Sequence, residues 1–265
     1  MSATANEPSS TSTPPFERIL CLTGLNREGA EAVRQAAILA GSGATIDLVS
    51  VAQHRPPGMP RPQAEQIESL VIGDRLASEH AVESRPHIAE AADEPTGVLD
   101  SVAGHDLVVV PDGGTALEVL SRAATSVLIA RAAPSPTPFP ESILVAVDGT
   151  VEAHTAARLG AQLSLRHAAA VSLVATPEHD SGHQHALERD IEVVEQITGT
   201  RPIVLDEYRG PGPSILAAAA GVEASLIVMG RRPGAHDSSV SAHVVGAATC
   251  SVLVVCARPA VSPRP

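Results

Sequence analysis

The stretches that decide the fold are ESILVAVDG at residues 141–149 and its partner ERILCLTG at residues 17–24. Each is an apolar run between a glutamate and a glycine, a pattern typical of a strand buried on both faces of a parallel sheet. A second pair, SVLVVCARP at 251–259 and SVLIARAAP at 126–134, repeats the similarity. The first pair starts 124 residues apart and the second 125 (141 − 17 and 251 − 126). The sequence therefore indicates an internal duplication.

Both halves alternate strand-like and helix-like segments, which predicts a parallel sheet with helices on its two faces. In the second half, strand-like AVSLVATP, RPIVLDEY and ASLIVMG alternate with helix-like stretches such as EAHTAARLGAQLSLR. The predicted fold is α/β, with two tandem five-stranded parallel-sheet sandwich domains. We expect a disordered tail at 1–15, a first domain at 16–133, a Pro-rich linker at 134–141, a second domain at 142–259 and a tail at 260–265.

Composition limits the classes of partner. The net charge is −12 and all 18 basic residues are arginines, which argues against nucleic acid or an anionic membrane as a main partner. The sequence has no apolar run long enough to span a membrane and no signal peptide at its start. The three cysteines lack the spacing of metal ligands. We therefore expect a cytoplasmic protein with reduced thiols and no metal site.

Three stretches carry a resemblance to a known family. ILVAVDGT, IVMGRR and SSVSAHVVGAATCSVLVV in the second half resemble the universal stress proteins in their tandem two-domain form. The resemblance implies an adenine-nucleotide-hydrolase-like α/β fold and a cytoplasmic stress-response role. It also implies pairing through the last strand, either as an intramolecular pseudo-dimer or as a homodimer, and protein partners that the sequence does not identify.

The resemblance further implies a nucleotide site in the second half. Family members that bind ATP use an aspartate after the first strand and a Gly-rich loop after the fourth, whose backbone N–H groups and hydroxyls receive phosphate. Arg231 and Arg232 could face that phosphate. The candidate nucleotide-binding residues are Asp148, Gly149, Thr150, Met229, Gly230, Arg232, Gly234, Ser238, Ser239 and Val240.

The loop also departs from the family pattern. Pro233 stands where a second glycine is expected, so one N–H donor is missing. Three residues separate Gly234 from Ser238, where the family has nine, and Asp237 places a carboxylate where phosphate would bind. In the first half the aspartate is absent and Pro111 replaces the leading glycine, so a tight turn with Thr115 as helix cap is the simpler interpretation.

Histidines form the other candidate sites. His179, His183 and His185 lie close together with Asp180, but Ser181 and Gly182 favour a helix start over a metal site. His154 and His243 fall on predicted helices near the candidate site. Neither has an acidic partner at a fixed spacing, which favours surface histidines.

Three functions remain open from the sequence. The first is a non-catalytic interaction or regulatory module with a degenerate nucleotide site. The second is an ATP-binding sensor that uses the second domain, with ATP and Mg²⁺ as the only ligands that the resemblance suggests. The third is a slow ATPase, for which the sequence offers no visible general base and no catalytic residue.

Overall fold

The computed structural model describes residues 15–41, 43–54, 63–133, 138–175, 181–206, 210–232 and 240–256. Half of the predicted linker (134–137) and nearly all of both predicted tails lie outside these ranges. The domain boundaries therefore remain predictions.

The described chain alternates strands and helices in both halves. The first half contains β1 (Arg18–Leu22), α1 (Arg27–Ala40), β2 (Thr45–Gln53), α2 (Ala64–Glu79), β3 (Glu83–Ala91), α3 (Glu94–Asp100), β4 (Leu107–Pro111), α4 (Gly114–Arg122) and β5 (Ser126–Ala130). The second half contains β6 (Ser142–Val147), α5 (Val151–His167), β7 (Ala170–Ala175), α6 (Ser181–Thr198), β8 (Ile203–Asp206), α7 (Pro211–Gly221), β9 (Leu226–Arg231), α8 (Val240–Ala247) and β10 (Ser251–Cys256).

The ten strands form one sheet in the order β3-β2-β1-β4-β5-β10-β9-β6-β7-β8. Within each half all the pairings are parallel, and the second half repeats the strand order of the first. The two halves meet where β5 pairs with β10 in antiparallel register, with Leu128 opposite Leu253. The predicted fold of two tandem five-stranded parallel halves is confirmed, and the last strands pair within the chain.

Helices cover both faces of the sheet. One face packs α1, α2, α5 and α6, and the other packs α3, α4, α7 and α8. Since the sequence has only three aromatic residues, the two cores consist of Val, Leu, Ile and Ala, and alanines on α1 and α5 allow these helices to approach the strands closely. Within the described part of the chain, no helix has the length and apolar character needed to cross a membrane.

Paired polar contacts hold the seam, by which we mean the β5–β10 junction and the helix ends beside it. The Ser251 hydroxyl accepts a hydrogen bond from the Arg131 N–H at 3.0 Å, and the Ser126 hydroxyl accepts one from the Cys256 N–H at 3.3 Å. These bonds are equivalent under the approximate twofold relation between the halves, because Ser126 and Ser251 open the two paired strands. The duplication seen in the sequence thus gives matched contacts across the seam.

Candidate functional site

The candidate site lies where the second-half strands end. In an open α/β sheet, ligands bind beyond the carboxyl ends of the strands. β6 and β9 are paired there, with Ala146 opposite Met229. Asp148 and Arg232, the first residues after these two strands, therefore lie at the same edge of the sheet.

Asp148 is held in a fixed local turn. One of its carboxylate oxygens, Oδ1, accepts hydrogen bonds from the Thr150 N–H at 3.0 Å and the Thr150 hydroxyl at 2.6 Å. Thr150 also caps α5, because its hydroxyl accepts a bond from the Ala153 N–H at 3.2 Å. Gly149 has φ 78°, a conformation that strongly favours glycine. The Asp148 side chain is exposed, and within the described part of the chain only its Oδ1 is bonded.

The first half lacks this carboxylate. Asn26 caps α1 as Thr150 caps α5, since its side chain accepts a bond from the Gly29 N–H at 2.9 Å. Gly24, two residues before Asn26, therefore occupies the place of Asp148. The loop after β4 differs too, because α4 begins at Gly114 with Gly113 at its cap, so the prediction that Thr115 caps this helix is wrong.

Gly230 has a packing role at the end of β9. A Cβ at this position would lie 2.4 Å from the Glu152 carbonyl carbon and 2.6 Å from the Ala153 nitrogen. The first turn of α5 thus rests directly on the end of β9. Met229 is buried in the sheet, so only its backbone could meet a ligand, whereas Val240 begins α8 and is partly exposed.

The two neighbouring arginines have different surroundings. Arg231 is 6 % exposed, and its guanidinium donates hydrogen bonds to the Leu120 and Ala123 carbonyls at the end of α4. The expectation that Arg231 could face phosphate is therefore wrong, because its side chain enters the seam. Arg232 is exposed beside the candidate site. The remaining predicted ligands, Gly234, Ser238 and Ser239, lie outside the described residues.

The structure adds a histidine–aspartate pair that sequence reasoning missed. His154, in the first turn of α5, lies with its Nδ1 2.8 Å from Oδ1 of Asp190 on α6. The Asp190 side chain is 3 % exposed and that of His154 is 41 % exposed. Burial raises the pKa of the Asp190 carboxyl, the bond to His154 opposes that effect, and the nearby charge of Asp148 adds to it. The interpretation of His154 as an unpartnered surface histidine is therefore wrong.

No sequence signal pointed to this pair, because the two residues are 36 positions apart on different helices. Their contact depends on how α5 packs against α6. His243, by contrast, is exposed on α8, and its ring lies against Gly212 of α7.

The histidine cluster is only partly described. α6 begins at Ser181, as the predicted helix start requires. His183 and His185 fall inside the helix, whereas His179 and Asp180 lie outside the described residues. Among the residues that the structure describes, no group of three or more His, Cys, Asp or Glu side chains could hold a metal ion.

Comparisons with known proteins agree with the α/β fold of the chain. The sequence model of the universal stress protein family matches residues 140–256, and no curated protein matches the chain. A universal stress protein from Archaeoglobus fulgidus is similar in structure, with a TM-score of 0.74 at 16 % identity over 91 % of this chain and 96 % of that one. A functionally unknown protein from Pseudomonas aeruginosa has a TM-score of 0.63 at 17 % identity, covering 91 % and 92 % of the two chains.

Proposed function

With the second half of the chain, residues 140–256, matched to the universal stress protein family, we propose that this protein is a regulatory stress-response module that senses an adenine nucleotide. The second half binds the nucleotide. The first half is its fixed partner in an intramolecular pseudo-dimer. Sensing ranks ahead of a nucleotide-free role because the second half keeps an accessible acidic group at the ligand edge of the sheet.

One observation carries the proposal: the Asp148 carboxylate is exposed, and among the residues that the structure describes it is held only by Thr150, through Oδ1. Its second oxygen is available to accept a hydrogen bond from a hydroxyl or amino group of a nucleoside. Arg232 is exposed at the end of the neighbouring strand and offers a positive charge for phosphate. These groups fit a nucleotide that extends from β6 to β9, although Arg231 takes no part in holding it.

The test is a calorimetric titration of ATP with Mg²⁺ into the full chain and into an Asp148→Asn variant. Asparagine keeps a side-chain oxygen for the turn but removes the charge and one acceptor. We expect the variant to bind at least about tenfold more weakly, a change of roughly 1.4 kcal/mol. Asp100→Asn is the matched control, because Asp100 is exposed at the end of α3 in the first half. Equal affinity in the Asp148 variant, or no heat at millimolar ATP, would reject nucleotide sensing.

A nucleotide-free interaction module is the second candidate. Two residues of the predicted phosphate region have structural roles instead. Gly230 packs against the first turn of α5, and Arg231 binds carbonyls in the seam. If the titration gives no heat, this function takes precedence, and the protein then acts through surfaces that recognise other proteins.

A further inference from the structure

We propose that His154, oriented by Asp190, contacts a sugar hydroxyl of the bound nucleotide and makes the site selective for that hydroxyl. The inference rests on the proposed nucleotide site and names the group that holds the sugar beside Asp148. It also gives the ligand a direction, because the sugar then lies on the α6 side of the first turn of α5 and the phosphates lie on the β9 side.

The strand order separates the two sides of the Asp148 turn. β6 lies between β9 and β7, and α6 follows β7. Arg232 is exposed directly after β9, whereas the carboxylate of Asp190 lies on α6. Since like charges repel and opposite charges attract, phosphate is favoured on the β9 side and disfavoured between Asp148 and α6. An uncharged group that carries hydroxyls suits the α6 side.

His154 lies one helical turn from the residue that holds Asp148. Its N–H donates to the Thr150 carbonyl at 3.0 Å, and the Thr150 hydroxyl donates to Asp148 Oδ1 at 2.6 Å. Side chains four residues apart at a helix surface are neighbours, with about 5–6 Å between their Cβ atoms. Burial raises the pKa of the Asp190 carboxyl and the nearby charge of Asp148 adds to that effect. Adjacent hydroxyls of one sugar can therefore reach both the second oxygen of Asp148 and the His154 ring.

The bond to Asp190 leaves one ring nitrogen of His154 for a ligand. A hydrogen on Nδ1 bonds to Oδ1 of Asp190, with 2.8 Å between the two atoms. Nε2 has no hydrogen-bond partner in the part of the chain that the structure describes. A hydroxyl both donates and accepts, so it can bond to Nε2 in either protonation state of the ring. Because the His154 side chain is 41 % exposed and that of Asp190 only 3 %, the ring is accessible while its orienting partner is enclosed.

The buried carboxylate is costly for the fold. Oδ2 of Asp190 is buried and has no hydrogen-bond partner among the described residues. A buried acceptor without a partner lowers stability, and a buried carboxylate paired with a part-exposed histidine gains little over an apolar side chain. Such a residue is expected where it fixes the orientation of a neighbouring side chain that binds a ligand.

The first test changes only the ligand. ATP and its 2′-deoxy and 3′-deoxy analogues, each with Mg²⁺, are titrated calorimetrically into the full chain. We expect at least one analogue to bind about three- to tenfold more weakly than ATP, which is the effect of one lost hydrogen bond. Equal affinities for all three ligands would reject the proposal, whether or not any variant of the protein folds.

The second test uses His154→Phe, which keeps a flat ring and removes both nitrogens. We expect it to bind ATP about three- to tenfold more weakly than the parent and to lose the preference for one hydroxyl, because the analogue without that hydroxyl never made the contact. A merely structural role would weaken ATP and both analogues equally, and that result would overturn the proposal. His80→Phe is the matched control, since His80 is exposed at the end of α2 in the first half, and it should keep the preference of the parent.

Asp190→Ala tests the positioning residue. Without its acceptor the His154 ring is no longer held in one orientation. We expect the same hydroxyl preference to shrink, while the analogue that lacks this hydroxyl binds as it does to the parent. An equal loss of affinity for ATP and for the analogue would show that Asp190 supports only the fold, and would overturn its assigned role.

The outcomes separate this inference from the proposed function. ATP binding that depends on Asp148, with a hydroxyl preference that His154→Phe leaves unchanged, would reject the role of His154 and leave the nucleotide sensor standing. If ATP does not bind at all, both proposals fail together.

Discussion

Arg231 gives the sharpest test of how the two halves are held together. Its guanidinium is buried in the seam, donates to the Leu120 and Ala123 carbonyls, and lies 3.5 Å from the Cys256 sulfur. These carbonyls belong to the C-terminal end of α4, where the helix dipole favours a cation. We expect Arg231→Met, which keeps an apolar stem and removes the donors, to destabilise the protein.

The magnitude follows from the groups left behind. Each of the two carbonyls loses its donor in a buried site, at a cost of about 1–3 kcal/mol. Relief from burying the guanidinium offsets part of this cost, because its Nε has no hydrogen-bond partner in the described structure. We expect a net loss of about 2–4 kcal/mol. A loss of 3 kcal/mol would lower the melting temperature by roughly 6–12 °C for a chain of this size.

The assay is differential scanning calorimetry of the parent, Arg231→Met and Arg232→Met. The second variant is the matched control, because Arg232 is adjacent in sequence but exposed, and exposed substitutions usually change stability by less than about 0.5 kcal/mol. Equal melting temperatures for the two variants would refute the reasoning, since they would show that the buried contacts contribute nothing. A loss in both variants would point to the local loop instead of the seam.

Two further predictions concern packing and pH. Gly230→Ala should destabilise the protein by about 1–3 kcal/mol, because the added Cβ would meet the Glu152 backbone. Gly246→Ala is the control and should not destabilise it, because Gly246 lies in open space on α8. Urea unfolding of both variants would measure the two free energies. Burial, together with Arg166, lowers the pKa of His167. The unfolded chain therefore takes up this proton first as pH falls below about 6.5, and stability is lost through that window. His167→Gln should therefore lose less stability than the parent between pH 7.5 and 5.5, as measured by the urea midpoint of each protein at the two pH values. If the midpoint falls equally in both proteins, His167 does not cause the loss.

The strand pattern was predictable because each buried strand is an unbroken apolar run. The runs around residues 18–22 and 142–147 follow directly from the two quoted stretches, and both became central strands of their halves. The internal duplication agrees with the strand order that the two halves share. Periodicity and apolar runs report which residues are buried, and in a parallel sheet with helices on both faces burial largely determines the architecture.

The site was less predictable because its contacts join distant segments. The resemblance of ILVAVDGT to the universal stress proteins singled out Asp148, Gly149 and Thr150, and the structure shows that Thr150 bonds Asp148 locally. The partner of His154 lies on another helix, and the acceptors of Arg231 lie 111 and 108 residues away. No local sequence pattern encodes such pairings. The pair Arg231-Arg232 beside Gly230 therefore suggested a phosphate site, although the Arg231 side chain packs into the seam.

The seam arginines show how the halves have diverged. Arg131 follows β5, forms an ion pair with Asp112 at 3.0 Å, and donates to the Val245 and Cys250 carbonyls near the end of α8. Arg231 makes the corresponding contacts in the other direction, toward the end of α4. Each half therefore supplies one arginine to the last helix of the other, but from a different strand.

This exchange gives the first half, which lacks the site residues, a structural role. Three successive residues at the end of β9 have separate environments: Gly230 supports the first turn of α5, Arg231 is anchored in the first half, and Arg232 is exposed. The carbonyls that receive Arg231 lie at the end of α4, so the first half holds the end of β9 in place. Gly24 stands where the second half has Asp148. The absence of that carboxylate does not affect the contact of Arg231 with α4. The first half can thus lack the acidic group and still anchor the strand end beside the candidate site.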